Sequence, residues 1–238
     1  MTTVSIVIPV CNEAHGIGAC IEAARMDPVV SEVVVVDGGS SDGTISIAET
    51  AGARVLVHDR AIESGGGRGG QIHAGVMSAT GDIVAIVHAD TRMEPGALSR
   101  VVSELEQRPG VAGGAIGCVF DGAGWHLRLL DSANHFRAGV LGISFGDQVQ
   151  FFRRAPLVDA DLYPNIPLME DVELSLRLRK LGRRIYLKGR CVASSRNWQK
   201  GAGRRAVLII ALVAEYLLKR LWGRPDTVAM YRRYYRDA

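Results

Sequence analysis

Residues 33–44 read VVVVDGGSSDGT, four β-branched side chains followed by an aspartate and a turn of glycines and serines. Such a run predicts a buried strand that ends in a polar loop. The earlier run Val4–Val10 has the same form and ends at Cys11-Asn12-Glu13. Because helical patterns follow both runs, at Ile17–Met26 and Thr44–Ala51, we predict parallel βαβ units with both faces of the sheet covered.

The alternation of strand and helix continues to Glu106 and is less regular after it. Further strands are predicted at Ala53–His58, Asp82–Val87, Ala112–Phe120, Gln148–Phe152 and Arg184–Leu187. Further helices are predicted at Gln71–Ala79, Pro95–Glu106, His126–Val140, Glu170–Leu181 and Ala206–Leu221. The glycine-dense segment Ser64–Gly70 predicts a loop. The sequence therefore predicts an α/β fold with a mostly parallel central sheet flanked by helices.

The composition indicates one α/β domain in a reducing compartment. The chain has 238 residues, 47% of them hydrophobic and 22% charged, which is enough for a sizeable core. Its four cysteines have no metal-binding spacing, so we expect free thiols. The first residues lack the basic segment and cleavage site of a signal peptide, and we therefore expect a cytoplasmic protein.

Charge is distributed unevenly along the chain. Residues 177–238 contain 17 Lys and Arg but three Asp and Glu, whereas the whole chain has a net charge of +3. A basic C-terminal quarter on an acidic body favours a phosphate-bearing substrate, anionic lipid or nucleic acid as partner. A nucleic-acid-binding protein would leave the candidate carboxylates below without a role, so no nucleic acid is expected.

Two carboxylates end predicted strands, where ligands of open α/β sheets collect. Asp37 can accept hydrogen bonds from a base or ribose, or it caps the next helix. Asp90, in His88-Ala89-Asp90, can bind Mg²⁺ or Mn²⁺ together with diphosphate oxygens, or it acts as a cap with Thr91.

The glycine-rich segment adds two candidate contacts to phosphate or nucleotide, Arg68 and Gln71. Its GxGxxG-like spacing does not fit a dinucleotide fingerprint, because that motif opens the first βα turn and this segment follows the third strand. A surface loop is the alternative. Asp147, in a polar cluster before a predicted strand, is also included among the donor-binding candidates.

The second half of the chain carries four more candidates. Glu170 and Asp171 open a helix, where carboxylates either complement the helix dipole or supply a general base for an acceptor hydroxyl. Arg196 could clamp a diphosphate and Trp198 could pack on a sugar or base, or both belong to a basic surface segment.

Five motifs in order resemble the inverting glycosyltransferases of family 2, which share the GT-A nucleotide-sugar fold. These motifs, which extend from residue 4 to about residue 200, are VSIVIPVCNE, VVVVDGGSSDGT, HAD, PLMEDVELSLRLRKLG and SSRNWQKG. The finer pattern GRGGQ, HADT, FGDQ, PLMED and SSRNW is similar to a bacterial subgroup labelled arsenosugar-biosynthesis-type glycosyltransferases. The resemblance implies a single in-line displacement that inverts configuration, with UDP-type sugar as donor.

The resemblance also implies roles for individual residues. Asp171 would be the general base with Glu170 beside it, Asp90 would bind the divalent metal, and Arg196 and Trp198 would meet the diphosphate and the acceptor side. The nucleotide would be held by Pro9, Val10, Asn12, Glu13, Asp37 and Arg68. The sequence departs from the family pattern at His88, which replaces the first carboxylate of the DxD metal motif, and in having no histidine after His135.

We expect a GT-A domain at residues 1–203, with a nucleotide-binding half (1–110) and an acceptor half (111–203), followed by a basic and apolar helical extension (204–238). Ala206–Leu218 is apolar over 13 residues, short of the roughly 20 that span a bilayer. It suits a core helix, a homodimer contact or peripheral contact with anionic lipid, and the acceptor could be lipid-linked. The alternative function is a sugar-phosphate nucleotidyltransferase, although its glycine-rich, basic loop is missing after the first strand.

Overall fold

The computed structural model describes residues 1–58, 66–122, 124–195 and 202–237. Within these residues, eight strands form a single mixed sheet. The strands are β1 (Val4–Val10), β2 (Val30–Asp37), β3 (Arg54–Val57), β4 (Ile83–Ile86), β5 (Thr91–Met93), β6 (Val111–Phe120), β7 (Val149–Arg153) and β8 (Arg183–Ala193).

Helices cover the sheet and form the end of the chain. They are α1 (Ile17–Arg25), α2 (Thr44–Thr50), α3 (Gly67–Ser78), α4 (Ala97–Gln107), α5 (Trp125–Phe136), a π-helical turn (Arg137–Leu141), α6 (Arg154–Val158), α7 (Glu170–Leu181), α8 (Ala202–Trp222) and α9 (Thr227–Asp237). The predicted α/β class and flanking helices are confirmed.

The strand order is β3-β2-β1-β4-β7-β6-β8-β5. Strands β3, β2, β1 and β4 are mutually parallel, as the βαβ pattern predicted. Strand β7 runs antiparallel to β4 and β6, while β8 is parallel to β6 and antiparallel to β5. The carboxyl ends of β2, β1, β4, β6 and β8 therefore lie at one edge of the sheet, where β7 begins.

Apolar side chains fill both faces of the sheet. On one face, Ile6 and Ile8 of β1 pack with Ile17 and Ile21 of α1. On the other face, Val7 and its neighbours pack against α3, α6 and α7. Helix α3 approaches closely because residue 75 is glycine: a Cβ there would overlap Cγ1 of Val7 and lie 2.8 Å from Cγ2 of Val36.

Several local predictions were wrong. The sequence predicts a loop over Ser64–Gly70, of which Ser64 and Gly65 lie outside the described residues, but α3 begins at Gly67, because glycine lets its first turn pass close to residues 166–170. The predicted helix His126–Val140 is confirmed as helical throughout, although its last turn, from Arg137, is π-helical. Strand β5 and helices α6 and α9 were not predicted, and β8 extends beyond Arg184–Leu187.

Helices α8 and α9 pack on the N-terminal part of α7 through a third apolar cluster. Leu212 and Tyr216 of α8 and Met230 of α9 are buried with Leu168 and Val172. No helix within the described residues is both long and apolar enough to cross a bilayer. The predicted division between residues 203 and 204 stays a prediction.

Candidate active site

The sheet places the predicted site residues along one edge. Strands β2, β1, β4 and β7 are adjacent in that order. Asp37 ends β2, Asn12 follows β1, Asp90 follows β4, and Asp147 precedes β7. Neighbouring strands are about 4.8 Å apart, so the ends of β2 and β4 are separated by about 10 Å along this edge. The edge is the position at which open α/β sheets bind ligands.

The loops after β1 and β2 are joined by hydrogen bonds. Asn12, with a left-handed φ of 56°, receives a hydrogen bond at Oδ1 from the Ser41 amide (2.9 Å) and donates its own amide to Ser40 Oγ (2.8 Å). The Asp37 carboxylate, 1% exposed, accepts the amides of Gly39 (2.8 Å) and Ser40 (2.9 Å) and the Ser40 hydroxyl. Asp37 therefore shapes its own loop and does not cap α2, whose N-cap is Gly43, and its contact with a ligand stays a prediction.

The other nucleoside candidates lie beside these loops. Pro9 is within β1 opposite Val36, and the Glu13 amide donates to Thr44 Oγ1 at 2.9 Å. Gln71 is buried on α3, and its Nε2 donates to the carbonyls of Val10 and Val36, both at 2.9 Å. The side-chain amide of Gln71 thus links the ends of β1 and β2. Its predicted contact with a ligand would be additional to this structural role.

The turn His88-Ala89-Asp90 connects β4 to β5. It is closed by a hydrogen bond from the Thr91 amide to the His88 carbonyl (2.9 Å), and Asp90 accepts the Ser194 amide at its carbonyl (3.2 Å). Nε2 of His88 is buried and has no hydrogen-bond partner among the described residues. Burial, with a contribution from Arg68, lowers the pKa of His88 to about 3, so the imidazole is neutral.

A divalent metal fits this turn only if a substrate supplies some of its ligands. Among the described residues, no group of three or more His, Cys, Asp and Glu side chains is arranged to hold a metal. Asp90 offers a carboxylate, and Mg²⁺ and Mn²⁺ commonly complete their coordination with water and phosphate oxygens. The donor set therefore suits a metal that arrives with, or is held by, a diphosphate.

Asp171 connects helix α7 to this turn. Its Oδ2 accepts the Gly146 amide at 2.8 Å, and its Oδ1 accepts the Val172 amide at 2.7 Å. Gly146 in turn lies against His88, since a Cβ on Gly146 would be 2.7 Å from His88 Nε2. The first turn of α7 and the end of β4 thus meet at Gly146, although they are far apart in sequence.

Glu170 faces a different partner from Asp171. Its Oε1 lies 2.9 Å from both Nε and Nη2 of Arg68, while its Oε2 is buried without a hydrogen-bond partner in the described residues. Burial and the neighbouring Asp171 raise the pKa of Glu170, against the lowering effect of Arg68. Glu170 is 1% exposed and Asp171 8%, so Asp171 is the more accessible carboxylate.

Asp147 belongs to a polar cluster beside Asp171. Its Oδ2 accepts a hydrogen bond from Asn134 Nδ2 at 2.7 Å, and its Oδ1 is buried without a partner in the described residues. Burial raises the pKa of Asp147, Arg137 lowers it and Asp171 raises it. The guanidinium of Arg137 is 3.1 Å from the ring centroid of Phe145. Asp147 therefore lies near Asp171 and is held by side chains of α5 and the π-helical turn, and its contact with a donor stays a prediction.

Arg196 and Trp198 lie outside the described residues. The last described strand before them, β8, ends at Ala193, which pairs with Thr91 next to Asp90.

Sequence reasoning missed two aromatic side chains near the site. The Tyr163 hydroxyl is buried without a described partner, and burial followed by Glu170 and Asp171 raises its pKa. Tyr231 of α9 touches the start of α3, where a Cβ on Gly67 would lie 2.9 Å from its Cε2. Tyr163 has no local signal, whereas the i, i+3, i+4 spacing of Tyr231, Tyr234 and Tyr235 could have indicated one aromatic face.

Comparison with known proteins identifies similar sequences. The sequence model of a family described as Glycosyl transferase family 2 matches residues 5–154. An uncharacterized glycosyltransferase of Mycobacterium tuberculosis is 38% identical over 104 residues, 44% of each chain. A glucosyl-3-phosphoglycerate synthase of Mycolicibacterium smegmatis is 34% identical over 93 residues, 37% of this chain and 31% of that protein. The matched segments thus span less than half of these curated relatives.

Solved structures share the fold. A mannosyltransferase from Pyrobaculum calidifontis, in complex with GDP-Man and Mn²⁺, has a TM-score of 0.67 and 22% identity, covering 98% of this chain and 69% of the other. At this level of identity the similarity establishes a common architecture. The predicted GT-A fold is confirmed by this comparison together with the family match.

Proposed function

The chain belongs to glycosyl transferase family 2, and from this premise we propose that it transfers a sugar from a nucleoside diphosphate sugar to an acceptor hydroxyl. The observation that carries the proposal is the junction at Gly146. There the carboxylate of Asp171 is hydrogen-bonded 2.8 Å from an amide that packs against His88, in the same turn as Asp90. Through Gly146, the candidate base thus lies next to the turn that contains the candidate metal ligand.

The donor side of the proposal uses the loops at the ends of β1 and β2. Asn12 and Asp37 hold these loops in fixed conformations, and Gln71 fixes the strand ends beneath them. A preorganised pair of loops can accept a base and ribose without first having to be ordered. We propose a UDP-type donor here, with Pro9, Val10 and Glu13 beside the nucleoside.

Asp90 is the residue that we propose to hold the divalent metal. When bound, such a metal neutralises the charge that develops on a leaving diphosphate. His88 lies in the same turn. Its imidazole is neutral, and its buried Nε2 has no hydrogen-bond partner among the described residues, so this nitrogen can form a hydrogen bond that orients a neighbouring group. The complex of the structurally similar mannosyltransferase with GDP-Man and Mn²⁺ supports the choice of metal and donor class.

Asp171 is the general base in this proposal. The amides of Gly146 and Val172 hold its two oxygens, and each oxygen retains lone-pair capacity for an acceptor hydroxyl. Removal of the hydroxyl proton in the transition state lets that oxygen attack the anomeric carbon from the side opposite the diphosphate. One displacement of this kind inverts the configuration of the sugar.

Glu170 and Arg68 support the base rather than replace it. Their ion pair fixes the first turn of α7 against α3, and Arg68 also keeps a positive charge near Asp171 and His88. Asp147 is proposed to complete the donor side, with Arg196 and Trp198 at the diphosphate and acceptor side. The basic residues 177–238 favour an acceptor that carries phosphate.

The proposal is tested by incubating the full chain with separate UDP- and GDP-sugars in Mg²⁺ or Mn²⁺. We expect one nucleotide sugar to raise the unfolding temperature and to release its nucleoside diphosphate slowly in the presence of metal. Stabilisation by UDP alone with no effect of GDP would identify the donor base. Release of pyrophosphate from a nucleoside triphosphate and a sugar phosphate, with no response to nucleotide sugars, would instead support a nucleotidyltransferase and overturn the proposal.

A further inference from the structure

Helix α8 has apolar side chains on two faces, and among the described residues only one of these faces packs against the rest of the protein. The inner face carries Leu212 and Tyr216, which are buried against Val172 of α7. The other face points away from the protein, and five large apolar side chains on it are 60–90% exposed. These residues, with their exposed fractions, are Val207 (68%), Ile210 (68%), Leu218 (60%), Leu221 (77%) and Trp222 (90%).

These five residues, which we call the outer stripe, form a continuous surface. At about 100° per residue they fall within an arc of about 120°. The small residues Ala211 and Ala214, also exposed, fill the same arc between them. With a rise of 1.5 Å per residue, the stripe is about 22 Å long. A contiguous apolar surface of this kind marks a site of contact with another protein or with a membrane.

Charge decides between these two partners. Exposed cations lie at both ends of the stripe, Arg204 at its beginning and Arg224 at its end. The nearby carboxylate of Glu215 is already bonded to Lys219 and to Arg233 of α9. In a two-fold dimer built on this stripe, a cationic end would meet a cationic end whether the helices ran parallel or antiparallel, which opposes association.

An anionic lipid surface can interact favourably with both the apolar side chains and the cationic ends of the stripe. Its headgroups attract both cationic ends, and its acyl boundary accepts the apolar side chains between them. Trp222, at one end of the stripe, belongs to the residue type that concentrates at membrane interfaces. The inner face remains attached to α7, so the helix would lie along the membrane surface.

We propose that α8 seats this protein on an anionic bilayer through its outer stripe. This inference goes beyond the proposed sugar transfer and does not depend on it, because it concerns binding alone. It has a geometric consequence for the site: Val172, which packs on α8, directly follows Asp171. Binding of α8 to the membrane would therefore hold the first turn of α7 at a fixed distance from the lipid surface.

The test is co-sedimentation of the full chain with phosphatidylcholine vesicles made with and without phosphatidylglycerol. We expect binding to the anionic vesicles that weakens as salt is raised. Leu218→Gln/Leu221→Gln should lower the partition coefficient about tenfold or more, since two inserted side chains lose their apolar burial. Met26→Gln/Val57→Thr changes two residues of similar exposure (77% and 74%) elsewhere on the surface and should bind as wild type.

A second variant and a second measurement keep the test decisive. Trp222→Gln alters a side chain that is 90% exposed, so its weaker vesicle binding should come without a change in unfolding temperature. Arg204→Gln/Arg224→Gln should remove most of the preference for phosphatidylglycerol. The proposal is overturned if the wild-type protein does not bind anionic vesicles. It is also overturned if light scattering shows that the wild-type protein is a dimer without lipid and that the Leu218→Gln/Leu221→Gln variant is a monomer.

Discussion

Arg68 Nη2 lies 2.9 Å from Glu170 Oε1, joining the first turn of α3 to the first turn of α7 across 102 residues. The Glu170 side chain is 2% exposed and that of Arg68 28%. Burial alone would lower the pKa of Arg68, but Glu170 and other nearby acids outweigh it and the pKa is raised. This pair fixes the position of the helix turn from which Asp171 projects.

The first prediction concerns the energetic coupling of this pair. Arg68→Met should reduce the free energy of unfolding by about 3 kcal/mol, because it leaves the buried Glu170 without its cation. Glu170→Gln in the Arg68→Met background should cost much less than the same change in wild type. Urea unfolding of the four proteins gives the coupling energy, expected to exceed about 1 kcal/mol.

The surface pair Arg108 and Glu104 of α4 provides the control for that cycle. Their side chains are 56% and 21% exposed at a separation of 3.1 Å. The corresponding cycle with Arg108→Met and Glu104→Gln should give a coupling of about 0.5 kcal/mol or less. A coupling at Arg68 and Glu170 no larger than this would show that the buried pair has no special role.

The second prediction assigns the base. Asp171→Asn keeps an oxygen that can accept a main-chain amide but removes the capacity to take a proton, so turnover should fall by about 10²–10⁴. Donor affinity, measured by calorimetry, should change less than about threefold, since the proposed base would contact the acceptor rather than the nucleotide. Asp159→Asn, an exposed carboxylate paired with Arg154, should leave both values unchanged. Parallel loss of donor binding and turnover would remove Asp171 from the role of base.

The third prediction concerns Asp90 and the divalent metal. Asp90→Asn should increase the Mn²⁺ concentration needed for half-maximal nucleotide binding by about tenfold or more, because the neutral amide is a weaker ligand for a hard cation. Binding measured with EDTA should be equal for the variant and wild type, since neither can then use the metal. An unchanged Mn²⁺ requirement would mean that another group holds the cation.

The fourth prediction tests the close approach of α3 to the sheet. Gly75→Ala should destabilise the protein by about 1–3 kcal/mol, because its methyl group would overlap Val7 and Val36 at the centre of two parallel strands. Gly203→Ala is the matched control: it is also helical, and a Cβ there would meet nothing within 4 Å. That change should be neutral or stabilising by up to about 1 kcal/mol. Equal effects of the two substitutions would contradict tight packing at residue 75.

The parallel half of the sheet was predictable because its signals are local. Runs such as Val33–Val36 bury both faces of a strand and are bounded by turn residues, so position and direction follow from short segments. The edge that collects Asp37 and Asp90 then follows from the rule that parallel strands share their carboxyl ends. The start of α3 could not be derived in this way, since four glycines in five residues locally favour a loop and become helical only against residues 166–170.

The junction at Gly146 was not predictable from local sequence either. The hydrogen bond from its amide to Asp171 joins residues 25 apart and depends on how α7 packs on β6 and β8. The family resemblance suggested Asp171 as the base without showing which amides hold it. Tyr163 gave no signal at all, because a tyrosine between a leucine and a proline is equally common on surfaces and in cores.

The last prediction uses the pH dependence of the contact between α7 and α8. Glu173, 6% exposed, accepts hydrogen bonds from Tyr216 (2.8 Å), Arg220 (2.6 Å) and Arg177 (2.9 Å). Against the effect of burial, which would raise it, these partners lower the pKa of Glu173 from 4.5 to about 2. A carboxyl with a depressed pKa in the folded state stabilises the protein above its unfolded-state value, here by up to about 3 kcal/mol.

That contribution is complete above pH 4.5 and decreases as the pH falls towards 2, because the unfolded chain takes up the proton first. Glu173→Gln should therefore lower the unfolding temperature clearly at pH 7 and much less at pH 3. Glu22→Gln, at an exposed position of α1, should have no such pH-dependent effect. If the loss caused by Glu173→Gln were as large at pH 3 as at pH 7, the ionised carboxylate could not be what attaches α8 to α7, and packing of Leu212 and Tyr216 alone would have to account for the attachment.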